Sequence, residues 1–345
     1  MSYPYRGNRN IRHEPRVSIV LPARNAAATL VPCLASILRQ TLTHWECLLV
    51  DDGSTDGTLA LAEEAARHDS RFRLVSTPPR GLIAALDEGV RLGAAPFIAR
   101  MDADDVMHRD RLAAQVAALE ADPGLCGVGC HVRMFPRKGM TPGLRQYEAW
   151  LNSLRSADDV ARDAYVECPI AHPTLMMRRE MAALGYRDCG WPEDYDLVLR
   201  AVGQGMRVGV VPRRLLSWRD RADSLSRSDG RYGRAQFTAC KAHYLAAGFL
   251  SGADDYILWG FGETGQALRR ALASHGKHPS LIVEVKPSRV GKRIHGAPVI
   301  RPEALGDAAR RPLVVSVAHA GPRAEIRGIL TSMGFVEGLD FVCAA

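Results

Sequence analysis

Apolar and polar positions follow a repeating rhythm along the first third of the chain. Val17 to Leu21 is a β-branched apolar run, and Ala26 to Gln40 then carries Leu30, Leu34, Ile37 and Leu38 at helical spacing. The couplet returns as Cys47 to Val50 with Thr58 to Arg67, Arg73 to Ser76 with Leu82 to Leu92, and Phe97 to Met101 with Arg109 to Glu120. Strands followed by helices over short connections predict an α/β fold, a mostly parallel sheet flanked by helices. Each predicted strand ends in a polar or glycine-rich cluster: Pro22, Arg24 and Asn25; Asp51, Asp52, Gly53, Ser54 and Asp56; Arg80 and Gly81; Asp102, Asp104 and Asp105. In an open parallel sheet these positions share the carboxyl edge, where ligands bind.

Leu125 to Val132 alternates strictly and predicts a strand whose Cys126, Val128, Cys130 and Val132 face a core. From 136 to 196 the pattern is irregular and rich in proline, before a helix over Asp194 to Gly203 and a strand over Arg207 to Val211. A helix around Gln236 to Ala247 precedes a break near Gly248 to Asp255. Beyond it come a strand (Tyr256 to Trp259), a glycine turn (Gly260-Phe-Gly262-Glu-Thr-Gly265), a helix (Thr264 to Ser274) and a strand (Leu281 to Val285). A further strand (Leu313 to Val317) and helix (Arg323 to Met333) complete a small α/β domain. The expected organisation is a basic tail at 1–15, a main domain at 16–248 and a C-terminal domain at 254–345.

Composition narrows the class. With 345 residues, 47% hydrophobic and 24% charged, the chain has the balance of a folded globular protein and not of a disordered segment or a rod. No apolar run reaches the ~18 to 20 residues of a bilayer-spanning helix, and Met1 to Arg16 lacks the apolar region of a secretory signal. A cytoplasmic location is expected. The eight cysteines are scattered without a CxxC pair, which fits reduced thiols. The net charge of +7 is clustered, with four arginines against Glu14 in residues 1–16 and eight arginines against Asp220, Asp223 and Asp229 in residues 207–234. Such patches suit a diphosphate or an acidic lipid headgroup, with peripheral contact at the inner membrane face, and not a nucleic-acid surface.

Three constellations carry candidate chemistry. Asp102-Ala-Asp104-Asp105 is read as extended chain, where carboxylates at i and i+2 point the same way and invite Mg²⁺ or Mn²⁺. The other reading is an acidic strand end capping the helix that starts near Arg109. Asp51 to Thr58 offers carboxylate acceptors for a base N–H or ribose hydroxyls, although Asp56 or Thr58 could simply cap the next helix. Glu193 and Asp194 follow Pro192, where acids either do chemistry or meet the dipole of a first helical turn.

Taken in order, Pro22-Ala-Arg-Asn25, Val50-Asp-Asp-Gly-Ser-Thr-Asp56, Arg80-Gly-Leu82, Arg100-Met-Asp-Ala-Asp-Asp105 and Trp191-Pro-Glu-Asp-Tyr-Asp196 resemble family 2 glycosyltransferases with a GT-A fold, over about residues 15 to 230. The resemblance implies an inverting enzyme that moves one sugar from a nucleotide-diphosphate sugar to a hydroxyl. The acceptor would be a surface polysaccharide, a lipopolysaccharide or another glycan or lipid-linked species. It implies that Asp52 contacts the nucleotide base, that Asp104 holds the metal with Asp102 in support, and that Asp194 is the catalytic base beside Glu193. Pro22, Arg24, Asn25, Arg80 and Gly81 would line the donor site. Arg24 stands where many relatives carry an aromatic residue, suiting a cation–π contact to the base. In Trp218-Arg219-Asp-Arg221, Arg221 stands where a histidine is frequent and is better suited to pairing with diphosphate than to a metal. His172, in His172-Pro-Thr174, either lines the acceptor site or is structural.

Gly260, Gly262 and Gly265, with Glu284 at the next strand end, have the spacing of a dinucleotide fingerprint. The segment resembles small Rossmann-like modules joined to sugar-modifying enzymes, and nucleotide contact and a structural or homo-oligomerising role both stand for it. Two other readings of the whole chain remain open at this point: an NAD(P)-binding oxidoreductase centred on that turn, and a non-catalytic nucleotide-sugar binding protein.

Overall fold

A computed structural model describes residues 14–221, 224–306 and 311–345. The expected basic tail therefore lies, apart from Glu14 and Pro15, outside the described residues. The elements are β1 (Val17–Ala23), α1 (Leu30–Leu38), β2 (Trp45–Asp52), α2 (Thr58–His68), β3 (Phe72–Thr77), α3 (Leu82–Leu92), β4 (Phe97–Arg100) and β5 (Val106–Met107). They continue as α4 (Arg111–Ala121), β6 (Leu125–Phe135), α5 (Pro142–Leu151), α6 (Ala157–Asp163), β7 (Met176–Arg178), α7 (Arg179–Ala182), α8 (Glu193–Gly203) and β8 (Arg207–Arg219). After α9 (Leu225–Ser228) and α10 (Arg234–Ala247) come β9 (Asp255–Trp259), α11 (Glu263–Ala273), β10 (His278–Val283), β11 (Arg293–Ile294), β12 (Ala297–Ile300), β13 (Leu313–Val315), α12 (Ala320–Ser332) and β14 (Phe341–Cys343). The chain divides into two compact units, one of residues 1–160, 170–188 and 205–222, the other of 161–169, 189–204 and 223–345.

The first unit is built on an eight-stranded sheet in the order β3-β2-β1-β4-β7-β6-β8-β5. Strands β1 and β2 are buried along their whole lengths. That is why their centres, Ile19–Leu21 and Cys47–Val50, read as apolar runs: a parallel strand covered on both faces has no solvent side to mark with polar residues. The parallel expectation holds from β3 to β4. Beyond β4 the sheet is mixed, because β7 runs antiparallel to both β4 and β6 while β8 runs parallel to β6. Register shifts between β6 and β8 bend β8 onward until it pairs with β5, which carries Arg219 to the residues that follow β4. Arg111, wholly buried at the start of α4, fixes this region from beneath. Its guanidinium donates to the Arg100 carbonyl at 2.8 Å and to Gln115 Oε1 at 3.0 Å, and Gln115 in turn donates to the carbonyls of Val128 and Thr174.

The second unit carries a six-stranded sheet in the order β11-β12-β10-β9-β13-β14, parallel except at β11. Helices α8 and α10, which precede the break expected at 248–254, cluster with this unit, where Tyr195, Leu199 and Cys240 form a small core with Ala164 and Cys168. The glycine turn follows β9 and opens α11 as expected. Gly260 adopts φ +95°, and a Cβ on Gly265 would lie 2.2 Å from the Gly260 carbonyl oxygen, so helix and strand approach more closely than any side chain permits. A Cβ on Gly262 meets nothing within 4 Å. In urea unfolding, Gly265→Ala should therefore destabilise the second unit by about 2 kcal/mol or more, while Gly262→Ala stays within about 1 kcal/mol. Equal effects would contradict this account of the turn.

Candidate active site

Strand β4 ends at Arg100, and the next residues make a turn in which the Asp105 amide donates to the Asp102 carbonyl at 3.3 Å. The extended chain expected over 102–105 is thus corrected. A turn, and not a strand period, brings Asp102, Asp104 and Asp105 together, with one ligand atom of each within 4.8 Å of the others. Asp105 is fully buried; its Oδ1 accepts the Arg219 amide at 2.7 Å, and its Oδ2 has no hydrogen-bond partner among the described residues. The helix-capping reading fails here, because α4 begins at Arg111 behind Asp110.

Cations surround the turn. Arg100, 3% exposed, pairs with Asp102 Oδ1. The Arg219 side chain donates to the Asp104 carbonyl at 2.7 Å and lies over the Phe135 ring at 4.4 Å, so it shapes the turn through the backbone. Burial and the Asp102 charge push Asp104 up to about 6, against the lowering pull of Arg221 and Arg100. Burial and the charges of Asp102 and Asp104 hold Asp105 well above the ordinary carboxylate range. An orphaned buried oxygen within a trio of hard oxygen ligands fits a small divalent cation such as Mg²⁺ or Mn²⁺.

The ends of β1, β2 and β3 form the neighbouring part of the carboxyl edge. Asp52, nearly buried, accepts the amide of Arg80 at 2.7 Å and that of Gly81 at 3.0 Å, and Gly81 sits at φ +90° to make this possible. Arg24 Nη1 lies 3.6 Å from Asp52 Oδ2, with the arginine side chain half exposed. Pro22 is buried within β1 opposite Val50. Asn25 holds φ +51° and accepts the Thr55 amide at 2.9 Å, while its own amide donates to Ser54 Oγ. Asp56 accepts from Thr58 and from the Ala27 amide. Asn25 and Asp56 therefore stitch two loops together, and the Asp51–Thr58 segment spends most of its polar groups on its own geometry.

His172 is buried with its Nε2 at 2.9 Å from the Tyr186 hydroxyl, and burial with the Arg100 charge keeps it neutral, well below its usual pKa. In the second unit, Glu193 is buried at the start of α8, and the Tyr232 hydroxyl donates to its carboxylate at 2.7 Å. Asp194, half-buried, accepts the Tyr195 amide at 2.8 Å and has Cys168 Sγ 4.0 Å from its Oδ2. Asp196 is knitted to Arg200, Trp191 and Tyr244 and anchors the helix. Beside Gly260, Gly262 and Gly265, Glu284 accepts the amides of Val285 and Lys286 and the Arg289 guanidinium, so its carboxylate is already engaged. Sequence reasoning did not single out Asp105 as a ligand or Arg100 and Tyr232 as partners, although Asp105 and Arg100 stand inside a quoted motif.

The first unit is thus a mixed α/β sheet with an acidic turn and a clamped aspartate on the carboxyl edge of its parallel part. The family model "Glycosyl transferase family 2" matches residues 18–184. EpsE of Bacillus subtilis (strain 168), named as a glycosyltransferase, is 33% identical over 225 residues, covering 63% of this chain and 78% of EpsE. A stretch of 129 residues is 33% identical to the chondroitin synthase of Escherichia coli, covering 37% of this chain and 19% of that one. The crystal structure of S. aureus TarS 1–349 in complex with UDP-GlcNAc superposes with a TM-score of 0.55 at 15% identity, covering 75% of this chain and 72% of that chain. The chain belongs to glycosyl transferase family 2 and is a glycosyltransferase.

Raised carboxyl pKa values have a definite sign. Asp104 and Asp105 hold protons to higher pH in the fold than in the unfolded chain, so the metal-free fold gains stability as pH falls, for Asp104 through about 6, whereas a cation needs both ionised. Mn²⁺ affinity by titration calorimetry should thus weaken at least about tenfold between about pH 8 and about pH 5.5. A flat profile would contradict proton competition at this turn.

Proposed function

We propose that this chain moves one sugar from a nucleotide-diphosphate sugar to a hydroxyl of a glycan or lipid-linked acceptor, inverting the anomeric carbon. The observation that carries the reading is the Asp102–Asp104–Asp105 turn, with its unsatisfied buried oxygen, on the carboxyl edge of a family 2 sheet. The UDP-GlcNAc in the TarS complex supports a nucleotide sugar as the donor class. Asp104, with Asp102 and Asp105 completing the oxygen set, would hold Mg²⁺ or Mn²⁺, which would supply positive charge for the diphosphate to depart.

The rest of the chemistry belongs to the chain. Asp52 accepts from the nucleotide base, and Arg221, whose charge reaches Asp104, attracts the diphosphate. As the bond from C1 to the diphosphate oxygen breaks, the acceptor oxygen bonds to C1 from the opposite face and its proton passes to the Asp194 carboxylate. Glu193, fixed by Tyr232, holds the start of α8 in place beside that base. The arginines of 207–234 suit an acceptor carrying a lipid diphosphate at the cytoplasmic membrane face. No helix among the described residues is long and apolar enough to cross a membrane.

The test is nucleotide release from a panel of UDP, GDP and dTDP sugars with Mg²⁺ or Mn²⁺. Asp104→Asn should lose Mn²⁺ binding together with turnover. Asp194→Asn should keep Mn²⁺ and nucleotide binding but lower kcat by about 10²- to 10⁴-fold. Full turnover by Asp194→Asn would remove it as the base.

A further inference from the structure

Arg24 is the residue of the donor edge that departs from the family pattern, and its surroundings suggest what it does. The loop that carries it is fixed: Asn25 is pinned to Ser54 and Thr55, and the Ala26 and Ala27 amides donate to Thr58 and Asp56. The half-exposed guanidinium lies 3.6 Å from Asp52 Oδ2, while Asp52 is locked from the other side by the Arg80 and Gly81 amides. At that separation Arg24 is a looser partner than the charge-assisted bonds of 2.7 to 2.9 Å found elsewhere. The ion pair is also too exposed to matter much for folding. The edge thus sets a nearly buried acceptor, fixed by two backbone amides, beside an exposed planar donor.

We propose that Arg24 and Asp52 together read a ring N–H next to a ring carbonyl, so that Arg24 selects donors whose base carries that lactam edge. Uracil, thymine and guanine present it: the ring N–H donates to Asp52 and the adjacent carbonyl accepts from Arg24. Cytosine and adenine invert it, placing a bare ring nitrogen against the carboxylate and an amino group against the guanidinium. Two like-polarity contacts then oppose binding, which gives discrimination by repulsion as well as by attraction. The inference rests on the proposed donor site and extends it to a specificity residue that an aromatic stack would not supply.

The experiment is titration calorimetry of UDP, GDP, CDP and ADP with the full chain in the presence of Mn²⁺. UDP and GDP should bind at least about tenfold more tightly than CDP and ADP. Arg24→Leu should lower UDP and GDP affinity by about tenfold and leave CDP and ADP binding equal or tighter, so that the preference shrinks by at least about tenfold. Arg24→Lys keeps the charge without the planar fork and should lose the preference as well. An unchanged thermal midpoint in both variants certifies the fold. An equal loss for all four nucleotides in Arg24→Leu would assign Arg24 to the phosphates and overturn the proposal. So would a preference undiminished in both substitutions, and in either case the donor site itself stands. Binding of none of the four would overturn the donor site and this inference together.

Discussion

Three carboxylates confined within 4.8 Å at the end of a buried strand are electrostatically costly, and the first unit is organised around that cost. Arg100 neutralises Asp102, the Arg219 amide takes one oxygen of Asp105, and Arg111 holds the Arg100 carbonyl from below. Gln115 extends this support to β6 and to the residues before β7. The remaining deficit of positive charge is concentrated at the buried Asp105 Oδ2 and at Asp104. On the proposed function, a cation that completed the set would gain from repulsion already present in the fold. The strain of the metal-free turn and the chemistry assigned to it therefore have one origin.

The neighbouring loops follow a different logic, in which polar residues are spent on rigidity. Asn25 and Asp56 bind backbone amides of the adjacent loop, and Asp52 binds two amides at the start of α3. Each of these side chains would pass as a ligand-binding residue on sequence alone, yet in Asn25 and Asp56 the hydrogen-bonding capacity is largely consumed internally. Rigidity of this kind fixes the Asp52 carboxylate and the loop that carries Arg24. In the second unit the same economy appears at α8, where Asp196 and Glu193 are tied to Tyr244 and Tyr232. Asp194, between them, accepts from a backbone amide and retains partial exposure.

The parts of the fold that were legible are those where one physical cause dominates. Doubly covered parallel strands have apolar centres, so β1, β2 and β4 stand out, and the glycine turn after β9 is legible because close approach of helix and strand admits no Cβ. Elements held by tertiary pairing were not legible. The three-residue β7 and the two-residue β5 gain their identity from β4, β6 and β8, and nothing within such short segments encodes a partner. The geometry of the acidic turn was misread for a related reason, since Asp105 reaches the cluster through a turn closed onto Asp102 and held by Arg219 from a distant strand. Glu284 had the right place for a ribose contact, but Arg289 and two local amides occupy it, a competition that spacing does not reveal.

The most direct test of the central claim is anomalous diffraction at the manganese edge from crystals grown with Mn²⁺ and UDP. The account predicts a single strong peak against the carboxylates of Asp102, Asp104 and Asp105, lost in Asp104→Asn. A peak elsewhere, or UDP bound with no ion at that turn, would contradict it.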